Sequence, residues 1–90
     1  MAAAKTDPSL NRIALIGIIV EDLEMTDRIN EILHEYREHI IGRMGIPYKS
    51  RGVAIISVVI DAPGNEISAL SGKLGMIKNV SSKVQYTNVM

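Results

Sequence analysis

Apolar and polar positions fall into two matching runs. "RIALIGIIVED" (Arg12 to Asp22) aligns with "GVAIISVVIDA" (Gly52 to Ala62), so that Ala14 meets Ala54, Ile16 meets Ile56, Ile18 meets Val58 and Val20 meets Ile60. Each run is β-branched and closes on an acid, Glu21 in the first and Asp61 in the second, as strands at a sheet's centre do. Apolar residues at helical spacing follow each run. Met25, Ile29, Ile32, Leu33 and Tyr36 come after the first, with Asp22 or Thr26 as the cap. Ile67, Leu70 and Leu74 come after the second, and Pro63-Gly64-Asn65 opens that helix. A further strand fits "HIIGRMGIPY", turned by "KSRG" into the strand from Val53, and a last one fits "NVSSKVQYT".

The order β-α-β-β-α-β is a duplicated split β-α-β unit. It predicts an α+β fold, the ferredoxin-like plait: a four-stranded antiparallel sheet with two helices on one face. The strands from Ile13 and Val53 take its centre. A sheet covered on one side should alternate apolar and polar residues. These two strands are apolar at both parities, and the chain holds only enough helix for one face. The even positions form an unbroken aliphatic set and suit the helices. The odd positions include Gly17 and Ser57 at equivalent points of the repeat, and small residues there let a second sheet approach closely. Ile13, Leu15, Val53, Ile55 and Val59 are therefore expected to form a subunit contact, making the protein a homo-oligomer, a dimer or a tetramer.

Composition adds limits. Ninety residues make one domain, expected over residues 12–90 behind a disordered tail at 1–11, and a chain this short gains from association. The tail carries no long apolar run, so neither a signal peptide nor a membrane span is expected. Phe and Trp are absent, and the core must be aliphatic. Cysteine is absent too, which removes disulfides, thiolate metal sites and a Cys nucleophile, and suits a cytoplasmic protein. Net charge is zero. Acids dominate from Glu21 to Glu38 and bases from Arg43 onward, but the bases are scattered and read as solvated surface.

Four features bear on chemistry. "SGKLG" (Ser71 to Gly75) resembles a phosphate loop, but Ile67 stands where that loop needs its first glycine and Leu74 follows Lys73 in place of Ser or Thr. The segment also ends a helical pattern, so Gly75 is expected as a left-handed C-cap and Gly72 as a point of close packing or the start of fraying. In "GRMGIPY", Gly42 and Gly45 are expected to leave a bare strip on one face, either as an edge bulge ended by Pro47 or as a place where a ligand or subunit comes close, with Arg43 available for an anion. His34 and His39 are the two histidines, and His34 with Glu38 or Glu35 with His39 has the spacing of a ligand pair. No nucleophile stands with an evident base and acid. No catalytic residue and no metal ligand is assigned.

"GRMGIP", "EISALSGKLG" and "VSSKV" resemble the iron-only hydrogenase system regulators, small bacterial proteins of ferredoxin-like, ACT-like fold. The resemblance spans about Arg12 to Tyr86. The family is also similar to the effector domain of nickel-responsive repressors, which assembles through its sheets. The resemblance implies a non-enzymatic regulatory domain that acts as an oligomer through a small-molecule effector or a partner protein. Two departures stand out. ACT domains that bind amino acids usually have a glycine-containing turn after the first strand; here that segment is "VEDLEMTD", while "DAPGNEISAL" follows the third strand. Nickel-responsive domains use His and Cys ligands, and this chain has no Cys. Gly42, Arg43, Gly45, Gly64 and Asn65 are the expected ligand-binding residues, with no cofactor assigned. A metal sensor built on interfacial histidines and a small plait enzyme with an intersubunit site are the alternatives. Without a helix-turn-helix, specific DNA binding by this chain alone is not expected.

Overall fold

The computed structural model describes residues 10–88. Residues 1–9 of the tail expected at 1–11, and the last two residues, lie outside the described residues. Four strands and two helices alternate as expected: β1 (Asn11–Val20), α1 (Thr26–Glu35), β2 (Ile40–Tyr48), β3 (Val53–Pro63), α2 (Gly64–Gly75) and β4 (Val80–Tyr86). The sheet is antiparallel in the order β2-β3-β1-β4, with the repeated strands at its centre. β1 begins one residue inside the expected tail, because Asn11 extends the ladder opposite Pro63. Gly17 lies directly opposite Ser57, so equivalent points of the repeat face each other at the middle of the sheet.

Parity decides burial. Ala14, Ile16, Ile18 and Val20 of β1 and Ala54, Ile56, Val58 and Ile60 of β3 are buried under the helices. They meet Ile29, Ile32, Leu33 and Tyr36 from the first helical stripe and Ile67, Leu70 and Leu74 of α2. Burying each such side chain contributes roughly 1.5–3 kcal/mol, and this layer is the core.

The ends of α1 are set by local hydrogen bonds. The Asp22 carboxylate accepts the Glu24 N–H at 3.0 Å and caps a short 3-10 turn over Leu23–Met25. Thr26, the first residue of α1, donates its hydroxyl to the Leu23 carbonyl at 2.8 Å. α2 starts directly after Pro63, whose missing N–H costs nothing at a helix start.

Three local expectations are overturned. Gly75 is not a left-handed cap; it is the last residue of α2. The reversal into β4 is made by Asn79 at φ 65, a side chain that tolerates the left-handed region. Gly72 is not a point of close packing, since a Cβ there would meet nothing within 4 Å. Gly42 and Gly45 do not share a bare strip. They stand three residues apart, so Gly42 lies opposite Val59 on one face and Gly45 opposite Ile56 on the other. The bulge in β2 falls at Ile41, before the glycines, and the strand continues through Pro47 to Tyr48. An edge strand accepts Pro because its N–H there need not join a ladder. The turn into β3 needs a left-handed residue, supplied by Gly52 at φ 69.

Candidate functional site

Two surfaces carry the candidate residues. One is the helix-free face of the sheet. Leu15 and Ile19 of β1 and Ile55 and Val59 of β3 stay exposed there, between 36% and 42%. Ile13 and Val53 on the same face are half-buried. All five residues expected at a subunit contact therefore point away from the helices. The row through the centre is low: Gly17 and Ser57 lie between Met44 of β2 and Lys83 of β4.

This face is not uniform. Met44, Ile46 and Tyr48 of β2 pair with Ser57, Ile55 and Val53 and so extend the apolar surface to the β2 edge, each more than half exposed. At the other edge β4 presents Ser81, Lys83 and Gln85, which pair with Ile19, Gly17 and Leu15. The face is apolar over three strands and polar on the fourth. The β2 residues were missed from sequence because the glycines drew the reading; the alternation Met44, Ile46, Tyr48 was the signal.

The second surface is the groove between α1 and β2. Arg43 turns to the helix side and donates from Nη2 to the Asn30 Oδ1 at 2.8 Å. This bridge separates two clefts. One, of about 180 Å³, runs between Leu23 and Thr26 on one side and Gly45 and Pro47 on the other, over Ala54 and Ile56. The other, of about 220 Å³, is lined by Asn30, Leu33, His34, Arg37, Ile40 and Arg43. Of the expected ligand residues, Arg43 and Gly45 reach these clefts. Gly42 is on the opposite face, beside Val59. Gly64 and Asn65 begin α2, where a Cβ on Gly64 would meet Arg12 Cδ at 3.8 Å, and they line neither cleft.

The remaining candidates are placed as follows. Gly72 and Lys73 lie inside α2, not in a strand-to-helix loop, which removes the phosphate-loop geometry. Lys73 ties the helices together: its Nζ is 3.2 Å from the Glu35 Oε1 and 5.1 Å from the centre of the Tyr36 ring. Hydrogen bonding to Tyr36, and then to Glu35, holds the ammonium above its ordinary pKa. His34 is on α1 near the larger cleft, and His39 follows in the turn, where its carbonyl accepts the Asp61 N–H at 2.9 Å. Among the described residues no three His, Asp or Glu side chains gather as a metal set. Among them, too, no helix is long and apolar enough to cross a membrane.

This geometry and sequence match known proteins closely. Residues 12–84 match the family model described as "TM1266-like: Iron-only hydrogenase system regulator, putative". Among solved structures, the uncharacterized protein TM1266 from Thermotoga maritima is similar at 39% identity and a TM-score of 0.82, over 87% of this chain and 99% of that one. The ACT domain from GTP pyrophosphokinase of Chlorobium tepidum is similar in fold, with a TM-score of 0.67 at 19% identity over 90% of this chain and 91% of that one. A formyltetrahydrofolate deformylase from Pseudomonas putida shares the fold over 86% of this chain and 29% of its own, with a TM-score of 0.63 at 12% identity. No curated protein matches this sequence.

Proposed function

The chain belongs to the TM1266-like family of iron-only hydrogenase system regulators, and from that membership we propose that it is a regulatory domain that works as a homo-oligomer and performs no catalysis itself. It takes its signal from a small effector or a partner protein. The observation that carries this reading is the open sheet face. Ile, Leu and Val stand outward at the odd positions of β1 and β3 other than Asn11, Gly17, Ser57, Asp61 and Pro63, and β2 adds Met44, Ile46 and Tyr48. A second copy laid on this face removes that apolar surface from water, and the low row at Gly17 and Ser57 gives its side chains somewhere to enter. The ACT-like fold supports the regulatory half of the reading.

Light scattering on the wild type and on Leu15→Lys tests the proposal. The wild type is expected at the mass of a dimer or tetramer, and the variant at the mass of a monomer, because an unpaired ammonium would be desolvated in the contact. A monomeric wild type removes the proposal. A folded variant of unchanged mass moves the contact off this face. Regulation is proposed to proceed without specific DNA contact by this chain alone, and a salt-resistant, sequence-selective gel shift with the purified protein would refute that.

A further inference from the structure

The cleft of about 220 Å³ beside α1 is lined on its polar side by Asn30, His34, Arg37 and Arg43. Asn30 and His34 stand four residues apart on α1, and Arg37 follows in the turn, so all three share a side of the helix. Arg43 reaches the same cleft from β2. The Asn30 carbonyl oxygen accepts from Arg43, at 2.8 Å. Asn30 keeps its NH₂ as a donor, alongside one open lone pair on Oδ1. Arg37 gives one N–H to the His34 carbonyl at 2.9 Å and keeps the rest of its fork. Arg43 keeps the rest of its own. The cleft thus presents donors from three side chains.

Charge agrees with this count. α1 and its flanks are acidic, yet no carboxylate lines the cleft. Glu31 and Glu35 are engaged elsewhere, with Arg28 at 3.3 Å and Lys73 at 3.2 Å. Among the described residues neither Arg37 nor Arg43 lies within ion-pair distance of a carboxylate. The aliphatic side of the cleft is the half-buried Ile40, with the core residue Leu33 at its floor. Donors at the rim and hydrocarbon at the wall fit an amphipathic anion.

We propose that this cleft binds a small organic acid, its carboxylate held by Arg37, Arg43 and the Asn30 amide and its short aliphatic tail laid on Leu33 and Ile40. Arginine suits the carboxylate because its planar fork offers two parallel hydrogen bonds. The cleft is small, at about 220 Å³ below the usual range for drug-sized ligands, and it opens to solvent, so it suits a short acid. A chain of five or six carbons with one acid group fills it. The cleft is on the helix layer of the domain, apart from the open sheet face, so occupancy and assembly use different surfaces. The assignment deepens the effector-binding reading and rests on it, but the two fail separately, since light scattering reports assembly and the titration below reports the cleft.

The test is an amide chemical-shift titration of the full chain with 4-methylpentanoate, with the neutral 4-methylpentanamide and inorganic phosphate as parallel arms. The expected result is a saturable response to the carboxylate centred on Asn30, Leu33, His34, Arg37, Ile40 and Arg43. The amide should give little response. Arg37→Gln and Arg43→Gln should each weaken binding by about tenfold or more, and Arg43→Lys should restore only part of it. Both arginines are exposed, so the variants are expected to fold, and the spectrum of each reports this directly. An equal response to the amide, a response centred elsewhere, or no saturable response to the carboxylate overturns the site. Phosphate bound as tightly as the carboxylate overturns the role given to Leu33 and Ile40.

Discussion

Branched aliphatic side chains stand on both faces of β1 and β3 and meet opposite fates. Ile16, Ile18, Val58 and Ile60 are wholly buried, while Leu15, Ile19, Ile55 and Val59 stand a third or more exposed. Nothing in side-chain chemistry separates the two sets. The difference is that two helices cover one face and none covers the other. Hydrophobicity sets how much surface seeks cover, and topology sets which half of it is covered within one chain. The uncovered half is available to hold a second molecule, whereas the covered half holds the first.

The sharpest way to break this comparison is to truncate one residue on each side. Ile18→Ala leaves a void under the helices and is expected to cost about 2–5 kcal/mol in denaturant unfolding. Leu15→Ala empties no enclosed space, so its effect on a dissociated chain should be much smaller. Equal losses for the two in a concentration-independent assay would erase the distinction between the faces.

A second pair sharpens the comparison within the open face. The apolar surface runs over β2, β3 and β1 and stops at β4, so the contact should be displaced toward β2. Met44→Lys is expected to dissociate the oligomer in analytical ultracentrifugation, and Lys83→Glu to leave its mass unchanged. The reverse pattern would place the contact over β4.

The smallest effect is expected from Gly42→Val. Gly42 lies on the open face beside Val59, with nothing within 4 Å of an added Cβ. Valine suits a strand, so thermal stability should hold or rise slightly while the assembly changes. A collapse in stability with unchanged assembly would mean that the position serves only local backbone geometry.

Much of this was legible in the sequence. The two strand runs announce themselves by repetition, and Gly17 and Ser57 break the odd set at equivalent points, which is enough to choose the buried parity. The antiparallel register that sets those two residues opposite each other is visible only in the fold. The β2 faces were harder. A bulge at Ile41 shifts parity by one residue, and no residue type there advertises it. The expected bare strip failed on spacing, because an odd separation places glycines on opposite faces. The helix end failed because glycine was taken for the left-handed residue and Asn79 does that work. Arg43 and His34 of the α1 cleft both stand out in the sequence, but for different reasons and with nothing to join them. The half facing Arg43 comes from Asn30, His34 and Arg37, whose side of α1 meets β2 only once the chain has folded back. Helical spacing sets His34 beside Glu38, whereas in the fold His34 lines one cleft with Arg43, which is on a strand.

The strand order carries a consequence for how the chain is made. β1 leaves the ribosome first, yet its two neighbours in the sheet are β3 and β4, the third and fourth strands to appear. Only β2 and β3, joined by the short turn through Gly52, pair locally. This strand, apolar on both sides, therefore waits unpaired until the rest of the chain arrives. Non-local pairing of this kind is slow, and an unpaired β-branched run is the sort of segment that associates with copies of itself. The strand that becomes the middle of the finished sheet is, during synthesis, the part most in need of protection.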